Sequence, residues 1–426
     1  MRLDVFRTAL IAFAIALAGC GVPSSHEDGP DAGDTDTGDP IPLTAVDLLV
    51  VVDTTIGSIN EEPILAQGLF ELVGALLHPL PGSTYDAVDD LRVAAITSSM
   101  GFSANGEDMD DYWPGTMSPE CEGFGDNGLF QDISAPWVEL QNDVIPCDES
   151  AHQCPPGWAC AVEGDAGVEG IGVCHTDEGT EVECPTLAAD WAETAGDPPS
   201  WDFALQAACL AMQGSTMGGD CGWMQPLQSA ATALTRDNQV DFIRDFAVLA
   251  IVVSTNEDDC SLEDGPGMFA EEEVANPALM KMNIACGENP VHLFAPSDFY
   301  QRFVEARGRW DAVVFVGIVG VPYADQSGAA ACQGYGDQLG DCWVQAEMQL
   351  VPEQPNAPDD LSWYYRPACT RNEGDVEVTD AWPARRFVEL ANSTFSSDSY
   401  IYSVCNADWS PAFDALSAMI AEKLTP

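Results

Sequence analysis

Val46-Asp47-Leu48-Leu49-Val50-Val51-Val52-Asp53 is the stretch on which the fold of this chain turns. The run is short, apolar and rich in branched side chains, without the alternation of a half-solvated strand. It therefore predicts a strand buried on both faces, as in a parallel sheet. Leu65, Leu69, Leu72, Val73 and Leu76 follow at helical spacing, with Pro63 suited to the first turn. Leu91 to Thr97, Phe246 to Thr255 and Ala312 to Val319 repeat the buried-strand pattern, and Ile401 to Val404 supplies a last strand. Helical spacing returns at Leu227, Ala230, Ala231 and Leu234, at Phe299 and Phe303 after a Ser297 cap, and at Phe413, Leu416 and Ile420 after Ser410-Pro411. The alternation predicts an α/β fold: a doubly wound, mostly parallel sheet with helices on both faces, one of which the C-terminal helix closes.

Upstream of that stretch the chain reads as an export and anchoring device. Arg2 and Arg7 precede the apolar run Ala9 to Ala18, which is too short to span a bilayer, and Leu17-Ala18-Gly19-Cys20 resembles the lipobox of bacterial lipoproteins. That resemblance implies a signal peptide over 1–19 and a lipid on Cys20, the only membrane attachment expected, at the outer membrane or cell surface. Residues 20–44 are rich in Gly, Pro, Ser, Thr and Asp and read as a tether; the globular part is expected over 45–426.

The chain holds fifteen cysteines, and setting Cys20 aside leaves fourteen, an even number. Cys121, Cys147, Cys154, Cys160, Cys174, Cys184, Cys209, Cys221, Cys260, Cys286, Cys332, Cys342, Cys369 and Cys405 are the disulfide candidates, their pairing open. Zinc is disfavoured because no CxxC pair exists and only His152 and His175 lie near a cysteine cluster. Residues 147–184, poor in apolar side chains, are expected to be a disulfide-rich, loop-rich insertion. Against 14 basic residues stand 70 acidic ones, a net charge of −56. Such a surface repels nucleic acid and anionic membranes; because the acids are dispersed, solubility accounts for them better than calcium binding or a basic partner.

In an open parallel sheet ligands bind beyond the carboxyl ends of the strands. Two of those ends are polar here: Asp53-Thr54-Thr55-Ile56-Gly57-Ser58 and Thr255-Asn256-Glu257-Asp258-Asp259-Cys260-Ser261. Such oxygen-rich clusters suit a hard divalent cation. A strand ending in Asp and hydroxyl residues, then Glu61-Glu62 opening a helix, is similar to the start of von Willebrand factor type A domains. Ile96-Thr97-Ser98-Ser99-Met100-Gly101, Asp126-Asn127-Gly128, Cys221-Gly222-Trp223-Met224-Gln225-Pro226-Leu227, Glu257 to Ser261 and Val404-Cys405-Asn406-Ala407-Asp408-Trp409-Ser410 extend the likeness. Together they resemble the type A-like surface lipoproteins of myxobacteria over roughly residues 45 to 424, interrupted by the insertion.

The resemblance implies a site for magnesium or manganese, alternatively calcium, built from Asp53, Thr55, Ser58, Asn256 and Asp258. Its carry-over is partial. Gly57 stands where a second serine is expected, Ser58 is one residue late, the threonine loop falls at Gly219-Asp220-Cys221-Gly222 without a threonine, and Asn256 occupies an aspartate position that only Asp258 could offset. A weakly held ion or none is therefore expected, and Asp53 with its neighbours serves equally well as a helix cap. The acids at 257 to 259 read as solvated surface, with a calcium-like alternative that adds Glu263 and Asp264; Asp108, Asp110 and Asp111 read as surface.

No HExxH, GxSxG, Walker or Rossmann glycine pattern occurs, and no enzyme is expected. An acid/base hydrolase using Asp53 and the 257 to 259 acids is a remote alternative. The leading expectation is an adhesion or protein-binding module at the cell surface, with an unidentified protein ligand held near Asp53 and Asn256. The alternative is a structural or assembly lipoprotein that binds no metal and makes its contact through the cysteine-rich insertion.

Overall fold

A buried aspartate lies within the first strand of the sheet. In the computed structural model, which describes residues 41–79, 85–104, 107–109, 123–140, 146–148, 154, 158–161, 171–175, 181–194, 201–213, 223–270, 282–353, 364–373 and 376–425, β1 spans Ala45–Val52 and is buried at every position, Asp47 included. Its carboxylate accepts from Arg244 N at 2.7 Å and Nε at 2.8 Å, and Arg244 also bonds Asp90. A charge at 0% exposure persists only where it is paired and hydrogen-bonded in this way. Desolvation nevertheless pushes the Asp47 carboxyl up to about 6, with Arg244 pulling the other way.

The other strands, in chain order, are β2 (Leu91–Thr97), β3 (Ala192–Glu193), β4 (Ala247–Ser254), β5 (Val313–Val319), β6 (Gly334–Tyr335), β7 (Cys369–Glu373), β8 (Val376–Ala381) and β9 (Ser399–Ser403). Six of them join β1 in one seven-stranded sheet, in the order β3-β2-β1-β4-β5-β9-β6. The five inner strands are parallel and the two edge strands, each of two residues, are antiparallel. β1 aligns Val50 with Val252 on one side and with Ala95 on the other. This is the mostly parallel α/β sheet expected from the apolar runs.

Helices α1 (Glu62–Leu77), α2 (Trp201–Ala211) and α6 (Ser410–Leu424) cover the face that takes Val46, Leu48, Val50 and Val52. The opposite face takes Leu49 and Val51 and is covered by α3 (Pro226–Thr235), α4 (Pro296–Arg307) and α5 (Arg385–Leu390). Strand periodicity of two thus splits one apolar run between two cores. Helix α4 starts at Pro296 with Ala295 at its N-cap and no side-chain cap, so Ser297 lies inside the helix, correcting the cap expected there. Proline at the first helical position takes over the start, because its missing N–H would have had no helical partner.

Five disulfides are described: Cys154–Cys174, Cys184–Cys209, Cys260–Cys286, Cys332–Cys342 and Cys369–Cys405. Cys160 is also disulfide-bonded; Cys121 and Cys221 lie outside the described residues, as does the side chain of Cys147. The region 147–184 is less loop-like than expected. Ile171–His175 pairs with both Pro146–Asp148 and Ala159–Ala161, and Trp137–Glu139 pairs with Glu181–Glu183. Residues 1–40, which include the expected leader, Cys20 and most of the expected tether, lie outside the described residues. Among the described residues no helix is long and apolar enough to cross a membrane. The disulfides are compatible with an extracytoplasmic protein.

Candidate functional site

From β1 the chain moves to β2 on one side and later to β4, β5 and β9 on the other, so the winding reverses between β1 and β4. Loops leaving two such strands diverge to opposite faces and open a crevice at their carboxyl ends. Asp53 leaves β1 there, and Thr255 and Asn256 leave β4.

The crevice is filled by a closed polar knot. Asp53 Oδ1 accepts from Thr55 N at 2.8 Å and Oδ2 from the Thr255 hydroxyl at 2.6 Å. The Thr55 hydroxyl donates to Asn256 Oδ1 at 3.4 Å, and Asn256 Nδ2 donates to the Asp380 carbonyl at 3.1 Å. Asp53 is 2% exposed, and burial raises its pKa against the hydrogen bonds from Thr255 and Thr55. The carboxylate therefore closes an Asx-type turn and ties β1 to β4 rather than capping α1, whose N-cap is Glu61.

Of the five candidate ligands, Asp53, Thr55 and Asn256 meet. Ser58 turns inward, its hydroxyl donating to the carbonyls of Asp53 at 2.6 Å and Thr55 at 2.7 Å. Asp258 turns away from the knot and accepts from Asp259 N at 3.0 Å and Arg386 N at 3.1 Å. Gly57 has no room for the serine expected there: a Cβ would stand 2.4 Å from Asn256 Nδ2. The candidate ligands that meet offer one carboxylate whose oxygens are both engaged, one hydroxyl and one amide, and the Thr255 hydroxyl is itself spent on Asp53, so these residues do not fit a divalent ion. Among the described residues no three of His, Cys, Asp and Glu gather as metal ligands. The Gly219 to Gly222 loop lies outside the described residues.

The acids at 257 to 259 are not a solvated run, because Asp259 is fully buried. Its carboxylate accepts from Leu227 N at 3.1 Å in the first turn of α3, from the Ser261 hydroxyl at 2.7 Å and from Arg386 Nη2 at 3.1 Å. Asp264 is spent on the short helix Gly265–Met268, where it accepts from Gly267 N at 2.9 Å. Asp110 and Asp111 lie outside the described residues.

Beside the knot lies a group that sequence reasoning did not bring together. Glu61 is 2% exposed and neither carboxyl oxygen has a hydrogen-bond partner. Burial, then the nearby Asp53 carboxylate, holds its pKa well above the usual range, while Arg371 and Thr379 pull it down. Arg371 and Thr379 sit opposite one another on the β7-β8 hairpin, next to a register shift after Arg371. Both are buried, and Arg371 Nε and Nη1 and the Thr379 hydroxyl lack hydrogen-bond geometry, so the interaction with Glu61 is electrostatic rather than a formed bond. The hairpin is docked on the end of β4 by Trp382 N donating to the Asn256 carbonyl at 2.9 Å, and Cys369–Cys405 staples it to the segment after β9.

Next to Asp258 opens a cavity of about 270 Å³ lined by Trp343, Tyr365, Trp382, Arg385, Arg386 and Glu389 among others. Desolvation pushes the Asp258 carboxyl up to about 7; Arg386 lowers it and Asp259 raises it. The sequence did carry a signal here: Trp382-Pro383-Ala384-Arg385-Arg386 puts two adjacent arginines in a chain with only 14 basic residues. Compared with protein-family models, with curated proteins and with solved structures, the chain matches none.

Proposed function

We propose that this chain is a lipid-anchored, extracytoplasmic protein-binding module of von Willebrand factor type A kind, adhesive rather than catalytic, that contacts its ligand through the carboxyl end of the sheet and without a metal ion. The observation that carries the reading is the switch point between β1 and β4, where the loop ends converge on Asp53, Thr55, Thr255 and Asn256 and leave Ile59, 45% exposed, beside them. Acid/base chemistry needs a group able to reach a substrate proton. Both Asp53 oxygens are engaged within the protein, Asp259 is held by Arg386, and Asp258, which borders a cavity, is engaged by two backbone N–H groups, so the geometry favours binding over the hydrolase alternative. The disulfides agree with an exported protein, and the leader and Cys20 supply the membrane attachment in this reading. The charge of −56 argues against nucleic acid.

The test is capture of cell-surface proteins by the immobilised, oxidised protein, with and without EDTA, beside Ile59→Asp at the loop end and Trp137→Asp, 47% exposed on the strand that pairs with Glu181–Glu183. The reading predicts a ligand that is kept in EDTA and by Trp137→Asp but lost with Ile59→Asp. Loss with Trp137→Asp alone would move the contact to the cysteine-rich insertion and make the chain an assembly lipoprotein.

A further inference from the structure

The cavity beside Asp258 combines aromatic walls with two arginines. Trp343, Tyr365 and Trp382 give it aromatic faces, with Pro290, Leu350 and Pro383 between them. The residues that directly follow three of its lining positions, Val291, Val344 and Val351, are 81%, 75% and 36% exposed. An aromatic hollow adjoining exposed apolar side chains is the usual anatomy of a binding hot spot.

One basic group in these walls is left for a ligand. The Arg385 guanidinium stacks on Trp343, 5.0 Å from the ring centroid, and among the described residues it makes no ion pair, although Glu389 lies one helical turn away. Of the two carboxylates in the lining, Asp258 is already engaged by two backbone N–H groups and Glu389 is exposed to solvent, which leaves Arg385 for a ligand that brings an acceptor. Disulfides brace two parts of the wall: Cys260–Cys286 holds one lining residue to the loop that follows β4, and Cys332–Cys342 ends next to Trp343.

We propose that this cavity binds the free carboxyl-terminal aromatic residue of a peptide or protein, with the ring among Trp343, Tyr365 and Trp382 and the terminal carboxylate on Arg385. About 270 Å³ sits just below the range of roughly 300–1,000 Å³ typical for drug-sized ligands, and suits one ring with its carboxylate. The exposed valines favour a peptide over a free aromatic acid, because they offer apolar contact to the residues that precede the terminus. This names the ligand chemistry of the face on which the proposed function rests. It fails separately from that function, being measured on purified components without any cellular ligand.

The experiment is titration of the full-length oxidised protein, read by calorimetry and by tryptophan fluorescence, with acetyl-Leu-Leu-Phe as the free acid, its carboxamide, N-acetylphenylalanine and glucuronate. The acid is expected to bind about tenfold or more tighter than the amide, the margin of a charge-assisted hydrogen bond. Arg385→Gln should erase that difference, and Val344→Asp, at a side chain 75% exposed, should weaken the peptide acid more than N-acetylphenylalanine. Equal binding of acid and amide, no effect of Arg385→Gln, or no binding of the peptide acid would overturn the proposal. Equal affinity for the peptide acid and N-acetylphenylalanine would overturn the peptide assignment, and binding of glucuronate alone would replace it with an acidic sugar.

Discussion

Replacing Arg244 with methionine leaves the Asp47 carboxylate in the middle of the sheet with a single backbone donor, because the change removes a side chain that donates from Nε at 2.8 Å and lies 2.7 Å from Asp47 Oδ1 at Nη2. Asp47 is fully buried, and breaking one side of a buried pair costs about 3–5 kcal/mol. The loss depends on pH. Burial already raises the folded Asp47 pKa from 3.8 to about 6, so the folded state holds this proton more tightly than the unfolded chain. The associated stability, about 3 kcal/mol, is fully present below 3.8 and is lost as the pH rises through 6. Without the guanidinium the folded value climbs further, and the variant is penalised most where the carboxylate is forced to ionise. Urea unfolding of the oxidised protein should therefore show Arg244→Met losing about 3–5 kcal/mol near pH 8 and clearly less near pH 5, with the pair Asp47→Leu/Arg244→Met recovering most of the loss. A loss below about 1 kcal/mol, or the same loss at both pH values, would refute the reasoning.

Three further outcomes are expected. Gly57→Ser, which restores the serine of the family pattern, should destabilise the protein by about 1–3 kcal/mol through the clash with Asn256 and create no magnesium-dependent shift in Tm. Glu61→Gln should raise Tm near pH 8, where the folded carboxyl is forced to ionise without a hydrogen bond, and do so less near pH 4, as followed by circular dichroism. The double variant Cys369→Ala/Cys405→Ala opens a loop of 36 residues and should cost about 4 kcal/mol in denaturant unfolding, loosening the hairpin that carries Arg371.

The inner strands were legible because each is a continuous apolar run that has no other place in a soluble fold than between two helical layers; Leu91–Thr97 was read to the residue. The edge strands Ala192–Glu193 and Gly334–Tyr335 were not, since two residues carry no periodicity. The Cys369–Glu373 strand, Cys-Thr-Arg-Asn-Glu, has a polar composition that hides its pairing. At the site, Asp53 stood out as the acid that ends a buried run. What surrounds it came from elsewhere in the chain: Thr255 from the end of β4, and Arg371 and Thr379 from a hairpin more than 300 residues on. The acids at 257 to 259 looked solvated because adjacency in sequence says nothing of the arginine at 386 that folds against them.

The claim most exposed to experiment is that the loop end of the sheet is held by its own hydrogen bonds and needs no cation. Thermal unfolding of the oxidised protein with magnesium, manganese or calcium, beside Asp53→Ala, tests it directly. A specific ion at about 100 times its Kd would add roughly 2.7 kcal/mol. The account predicts that any stabilisation reflects screening of the charge of −56 and is the same in both proteins. A cation-dependent gain present in the wild type and lost in Asp53→Ala would contradict it and make this a metal-dependent recognition site.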